Sequence, residues 1–165
     1  MEKAIISIVG ASGSGKTTFI VRLVEYLSNC GLRVGTMKHT SNKNFEIDRE
    51  GKDSYLHFHS GAHASMIVSD NKLGFIKRLA KIETKKIVSE YFHDCDIVII
   101  EGLKRENLPK IEVYRKEPGG IPLYKGLKNV IAVVSDVTFK DIRCFDINDV
   151  AGVGRFIINN SRQQD

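Results

Sequence analysis

Gly10-Ala11-Ser12-Gly13-Ser14-Gly15-Lys16-Thr17, followed by Thr18, has the residue types and spacing to hold a polyphosphate. The run fits G-x-x-x-x-G-K-[ST] at each fixed position. Glycines let the backbone pass through positive φ, so that successive N–H groups point inward at phosphate oxygens. A helix beginning at the end of the run adds the partial positive charge of its N-terminus. Lys16 reaches the β- and γ-phosphates and so doubles as a catalytic group, while Thr17 offers its hydroxyl to Mg²⁺. The phosphate-binding set is therefore Gly10, Ser12, Gly13, Ser14, Gly15, Lys16, Thr17 and Thr18. These residues imply a bound nucleoside triphosphate with Mg²⁺.

Such a loop works only between a strand and a helix, and both are legible. Ala4 to Val9 (AIISIV) reads as a buried strand and Thr18 to Leu27 as a helix ending near Cys30, with Gly31 just past it. Arg33 to Lys38 is a second strand, and His39 to Gly51 is a long polar loop. Asp53 can cap a short helix through Ser60. Ala64 to Ser69 and Leu73 to Lys77 flank the turn residues Asp70-Asn71-Lys72, which predicts an inserted β-hairpin. Ile82 to His93 is amphipathic and helical. Asp96 to Ile100 (DIVII) is the most hydrophobic strand and reads as central. Strands over Ile111 to Arg115, Val130 to Ser135 and Arg143 to Phe145 follow, then a closing helix over Val150 to Asn159. Strands alternating with helices predict an α/β fold, a mostly parallel central sheet with flanking helices. The 165 residues suggest a single nucleotide-binding domain, 1–165.

That sheet selects further site residues. Ligands of parallel α/β sheets sit beyond the carboxyl ends of the strands. Five strand residues span about 16 Å, so Asp96 falls at the wrong edge and Glu101 at the right one. Glu101 is the site carboxylate, able to hold Mg²⁺ through water or orient an attacking water. Gly102 beside it permits close backbone approach, and Lys104 follows on the same loop. Lys38 and His39 end the second strand at this edge, where they can meet phosphate or a partner's substrate. Asp48 or Asp53 in the following loop can complete the Mg²⁺ shell, since Mg²⁺ keeps several waters and takes one or two carboxylates. Asp136 ends a strand where a base reader can stand and can accept from guanine's N1 and exocyclic amine. Asn42-Lys43-Asn44-Phe45 fails the guanine-reading N-K-x-D at its fourth position, so the residues leave guanine and adenine open.

Composition limits the remaining roles. The net charge is +5, and Lys77, Arg78, Lys81, Lys85 and Lys86 form the densest basic stretch. Without interleaved aromatics it reads as a solvated face rather than a nucleic-acid surface. Cys30, Cys95 and Cys144 are widely spaced and odd in number, which reads as small buried or half-buried residues rather than a disulfide framework. His57, His59 and His63 lack an acid or thiol at ligand spacing. No run approaches a membrane span, and Met1 to Val9 is too short for a signal peptide, so the expected place is the cytoplasm, with no membrane partner.

Several motifs together resemble the molybdopterin-guanine dinucleotide biosynthesis adaptor family, MobB. They are GASGSGKTT from Gly10 to Thr18, Lys38-His39-Thr40, Phe45-Glu46-Ile47-Asp48, Gly51-Lys52-Asp53-Ser54, Gly61-Ala62, and Glu101-Gly102-Leu103-Lys104 after DIVII. The match runs from residue 5 to about 136. Family members often carry more histidines just after K-H-T, where this chain has Ser41, Asn42, Lys43 and Asn44, so only His39 carries over. The resemblance implies a P-loop nucleotide hydrolase fold, GTP as the nucleotide and weak GTPase activity. It also implies a homodimer and assistance to the guanylyltransferase that joins GMP to molybdopterin. Three other readings compete, of which a nucleic-acid motor is disfavoured by the small size and the absence of a second core. A small-molecule kinase using ATP would need an arginine-bearing lid, which Arg105 and Arg115 do not recognisably form. A metal-delivery GTPase would use His57, His59 and His63.

Overall fold

The computed structural model describes residues 3–117 and 119–161. The chain packs as two compact units, Met1–His39 with Val88–Asp165 and Thr40–Ile87.

The first unit is built on six strands: β1 (Ala4–Val9), β2 (Val34–Lys38), β5 (Ile97–Glu101), β6 (Lys110–Tyr114), β7 (Val130–Ser135) and β8 (Cys144–Asp146). Their order across the sheet is β2-β5-β1-β6-β7-β8, and every pairing is parallel. DIVII does lie inside the sheet, between β2 and β1. Parallel strands buried on both faces need apolar side chains at every position, and β5 alternates accordingly. Ile97 and Ile99 join Ile6, Ile8, Phe19, Leu23, Val153 and Ile157 in one core, which contains the buried faces of α1 (Lys16–Asn29) and α4 (Val150–Ser161). Val98 and Ile100 face the other way, into a smaller cluster with Val88 and Leu108. Val88 belongs to α3 (Thr84–Tyr91), so helices cover both faces of the sheet.

Two buried ionisable residues are held by local backbone. The Lys110 ammonium donates to the carbonyls of Glu106, Leu108 and Lys128. Glu112 accepts the N–H groups of Leu123 (2.7 Å) and Tyr124 (2.8 Å). Each group is thereby satisfied inside the fold, as buried charge requires.

The second unit holds α2 (Asp53–His59) and an antiparallel hairpin of β3 (Ala64–Val68) and β4 (Leu73–Lys77). Here the expected hairpin is confirmed. Asp53 is not the helix cap, however. Lys52 occupies that place in an extended conformation, φ −85° and ψ 153°, and Asp53 is the first helical residue. An acid there still complements the helix dipole. Arg78 in the basic stretch lies 4.3 Å over the Phe58 ring and donates to the Phe58 and Ala62 carbonyls. All three cysteines are free, and Cys30 is exposed where the sequence suggested partial burial.

Candidate nucleotide site

The loop after β1 has the shape its glycines predict. Gly13 and Gly15 sit at φ 75° and 86°, conformations that disfavour a side chain. A Cβ on Gly10 would lie 2.4 Å from the Val113 carbonyl oxygen and 2.7 Å from Ser14 Oγ, so only glycine fits there. Gly15 is the N-cap of α1 and supplies no side-chain bond to the helix N-terminus. The first turn of α1 carries no acidic residue either. Its free N–H groups therefore face the loop with no anion of the helix's own to meet them. Helix α1 begins at Lys16, two residues before Thr18, directly after the left-handed Gly15. Ser14 is buried, and its hydroxyl has no hydrogen-bond partner among the described residues. An unsatisfied buried hydroxyl is a place for a ligand atom.

Glu101 closes the site from β5. Its two carboxylate oxygens lie 3.3 Å and 3.3 Å from the Thr17 hydroxyl, and Oε1 lies 3.4 Å from Lys38 Nζ. The register explains this: Glu101 is level with Ile8 on β1 and Lys38 on β2, so three strand ends converge beside the loop. His39 donates its N–H to the Glu101 carbonyl at 3.0 Å. Gly102 takes φ 104°, and its N–H donates to the Ile8 carbonyl at 3.0 Å while its carbonyl accepts from the Ser7 hydroxyl. The turn that carries Glu101 is thus pinned to β1 on both sides.

Lys16 stands at the centre of this charge cluster. Its ammonium donates to the Ala11 carbonyl at 2.6 Å. Burial pushes its pKa below the ordinary lysine value; Glu101 opposes that shift, while Lys104 and Lys38 add to it. A polyanion among Lys16, Lys38 and Lys104 would relieve their mutual repulsion.

Several other candidate residues have partners of their own. Asp96 is at the opposite edge, where its Oδ1 lies 3.0 Å from Arg33 Nη2. Asp136 ends β7 with Oδ1 accepting the Lys116 N–H at 2.9 Å and Oδ2 3.8 Å from Arg115 Nη1. Asp48 and Asp53 belong to the second unit. There the Asp48 carboxylate accepts the Ser54 hydroxyl and the Arg49 N–H, which hold it below the usual carboxylate range. His59 stacks on Tyr55, with Nε2 3.3 Å from Glu46 Oε1 and Nδ1 2.9 Å from the Tyr55 carbonyl oxygen. No group of three or more His, Cys, Asp or Glu side chains able to hold a metal ion occurs among the described residues. Nor is any helix among them long and apolar enough to cross a membrane.

Residues 5–136 match the family described as molybdopterin guanine dinucleotide synthesis protein B. The chain belongs to that family. A molybdopterin-guanine dinucleotide biosynthesis adapter protein of Haemophilus influenzae is 32% identical, over 94% of this chain and 88% of its own. Its counterpart in Escherichia coli is 29% identical, over 97% of this chain and 94% of its own. A crystal structure of molybdopterin-guanine biosynthesis protein B superposes with TM-score 0.78 at 32% identity, covering 96% of this chain and 99% of that one. Bacillus subtilis MobB gives 0.74 at 28% identity, over 94% and 96%. Membership in the MobB family fits the adapter reading and not the kinase or metal-delivery alternatives.

Arg115 was weighed from the sequence only as a kinase lid arginine, and its place beside the phosphate loop was not foreseen. The signal was its position one residue past a strand end at the ligand edge, the same signal that selected Glu101.

Proposed function

We propose that this chain is a GTP-binding adaptor of molybdenum cofactor assembly. It binds GTP with Mg²⁺ and assists the guanylyltransferase that converts molybdopterin to its guanine dinucleotide form. The observation that carries the nucleotide half is the Thr17 hydroxyl 3.3 Å from both oxygens of Glu101, beside a loop whose helix N-terminus lacks any acid of its own. The adaptor half rests on the named relatives. Guanine rather than adenine rests on the same family membership.

The residues divide the work by position. Backbone N–H groups from Ser12 to Thr18 and the Ser14 hydroxyl cradle the phosphates, with Gly10 keeping the loop close to β6. Lys16 and Lys38 balance the phosphate charge, and His39 stands beside them. Thr17 and Glu101 fit Mg²⁺, a hard cation that takes oxygen ligands and keeps several waters. Mg²⁺ bound there would neutralise phosphate charge and so support weak hydrolysis. The scheme assigns no Mg²⁺ ligand from the second unit, where the Asp48 carboxylate accepts the Ser54 hydroxyl and the Arg49 N–H. The protein works in the cytoplasm as a homodimer, with no nucleic-acid or membrane partner.

Binding of fluorescent GTP and ATP analogues with Mg²⁺, each competed by unlabelled nucleotide, tests this reading. The expected result is a preference for GTP, followed by retention of the guanylyltransferase on the GTP-loaded protein. A preference for ATP would overturn it.

A further inference from the structure

The phosphate loop has two flanks, and the proposed Mg²⁺ end accounts for only one. Glu101 and Lys38 approach from β5 and β2, on one side of β1. Strand β6 pairs with β1 on the other side, and the residue following it is Arg115. A Cβ built on Gly15 would lie 4.0 Å from Arg115 Nε and, leaving out its chain neighbours and the α1 backbone, within 4 Å of no other heavy atom among the described residues. The guanidinium therefore overhangs the residue that caps α1, where the helix N–H groups are directed at an anion.

What holds it there is Asp136. One carboxylate oxygen is tied to the Lys116 backbone N–H at 2.9 Å, which fixes the carboxylate beside the β6 turn. The other lies 3.8 Å from Arg115 Nη1, close enough for charge attraction but longer than a hydrogen bond. Arg115 is thereby aimed without its N–H donors being spent on Asp136. A planar guanidinium with donors to spare is suited to phosphate oxygens. Asp136 is thereby oriented toward Arg115 by the Lys116 N–H.

We propose that Arg115 is a second phosphate-binding side chain of the nucleotide site. It contacts the α- and β-phosphates on the flank away from Glu101, with Asp136 as its positioning residue rather than a reader of the base. This rests on the nucleotide reading above.

The test is titration of fluorescent GTP, GDP and ATP into the wild-type protein, Arg115→Ala, Arg115→Lys and Asp136→Asn, with melting temperatures alongside. A contact to the α- and β-phosphates serves both nucleotides, so Arg115→Ala weakens GTP and GDP alike, by about tenfold for one charged hydrogen bond. Arg115→Lys restores part of the loss. Asp136→Asn weakens both nucleotides severalfold at an unchanged melting temperature, and the ratio of GTP to ATP affinity stays as in the wild type. Wild-type affinity for both nucleotides in Arg115→Ala overturns the proposal, and so does a loss confined to GTP. Loss of the guanine preference in Asp136→Asn returns that residue to the base. A wild-type protein that binds no nucleotide overturns the site itself, and this proposal with it.

Discussion

Strand β5 carries a carboxylate near each of its ends, and the two are in opposite circumstances. Asp96, just before the strand, is enclosed by one partner: Arg33 gives it a backbone N–H at 2.8 Å and two guanidinium contacts at 3.0 and 3.3 Å. Glu101, the last residue of the strand, has several neighbours and no short bond. Thr17 stands 3.3 Å away and Lys38 3.4 Å away. Charge-assisted hydrogen bonds settle nearer 2.7–2.9 Å. The first carboxylate ties β2 to β5, with both oxygens engaged by Arg33. The second is surrounded by a hydroxyl and by cations that are not drawn tight, the condition of a site whose remaining ligands come from outside. An acid on a buried strand is thus read by its edge and by how completely its lone pairs are taken.

The comparison can be broken first at Lys16, which belongs to the open end. Lys16→Ala removes the cation nearest the expected β- and γ-phosphates and is expected to weaken nucleotide binding by about a hundredfold or more, beyond easy detection. Unchanged affinity would remove the loop from the site. Next comes Glu101→Gln, which keeps the shape and deletes the charge. The gain in GTP affinity that Mg²⁺ confers is expected to shrink by about tenfold, the loss of one charged contact. A gain equal to that of the wild type would leave Glu101 without a role at the metal.

Most of this geometry was legible before the structure. The motif named the loop, the apolar run DIVII named an interior strand, and the parallel arrangement decided between Asp96 and Glu101. What was not legible depends on contacts between segments distant in sequence. Gly35 sits in the middle of β2, and a Cβ there would meet Phe92 at 2.4 Å and Cys95 Sγ at 3.1 Å. Nothing in the local pattern of β2 announces that a turn after α3 packs so close. Arg115 was hidden for the same reason, since its neighbour Gly15 is a hundred positions away. Asp53 was misplaced as a helix cap because an acid before a helical run fits both the cap and the first turn, and only the extended backbone of Lys52 separates them. The bond from the Lys116 N–H to Asp136 was likewise out of sight, because it joins two strand ends twenty positions apart.

The smallest expected effect lies at the closed end, and it sharpens the contrast because it involves no ligand. The Arg33 side-chain hydrogen bond, with the Arg33 N–H after it, holds the Asp96 carboxyl below its usual pKa. A carboxyl group whose pKa is depressed on folding adds stability above its unfolded value of about 3.9 and loses that stability as pH falls through the folded value. Melting temperatures of wild type and Asp96→Asn should therefore differ at neutral pH and converge as the pH drops below about 4. The pair is exposed, so the neutral-pH gap is a few degrees at most. Nucleotide affinity should be the same in both proteins. If Asp96→Asn weakened GTP binding as Glu101→Gln does, the two edges of the sheet would not be functionally separate, and the division between a structural and a ligand-binding acid on β5 would fail. If the gap persisted unchanged into acid, the interaction with Arg33 would not depend on the ionised carboxylate.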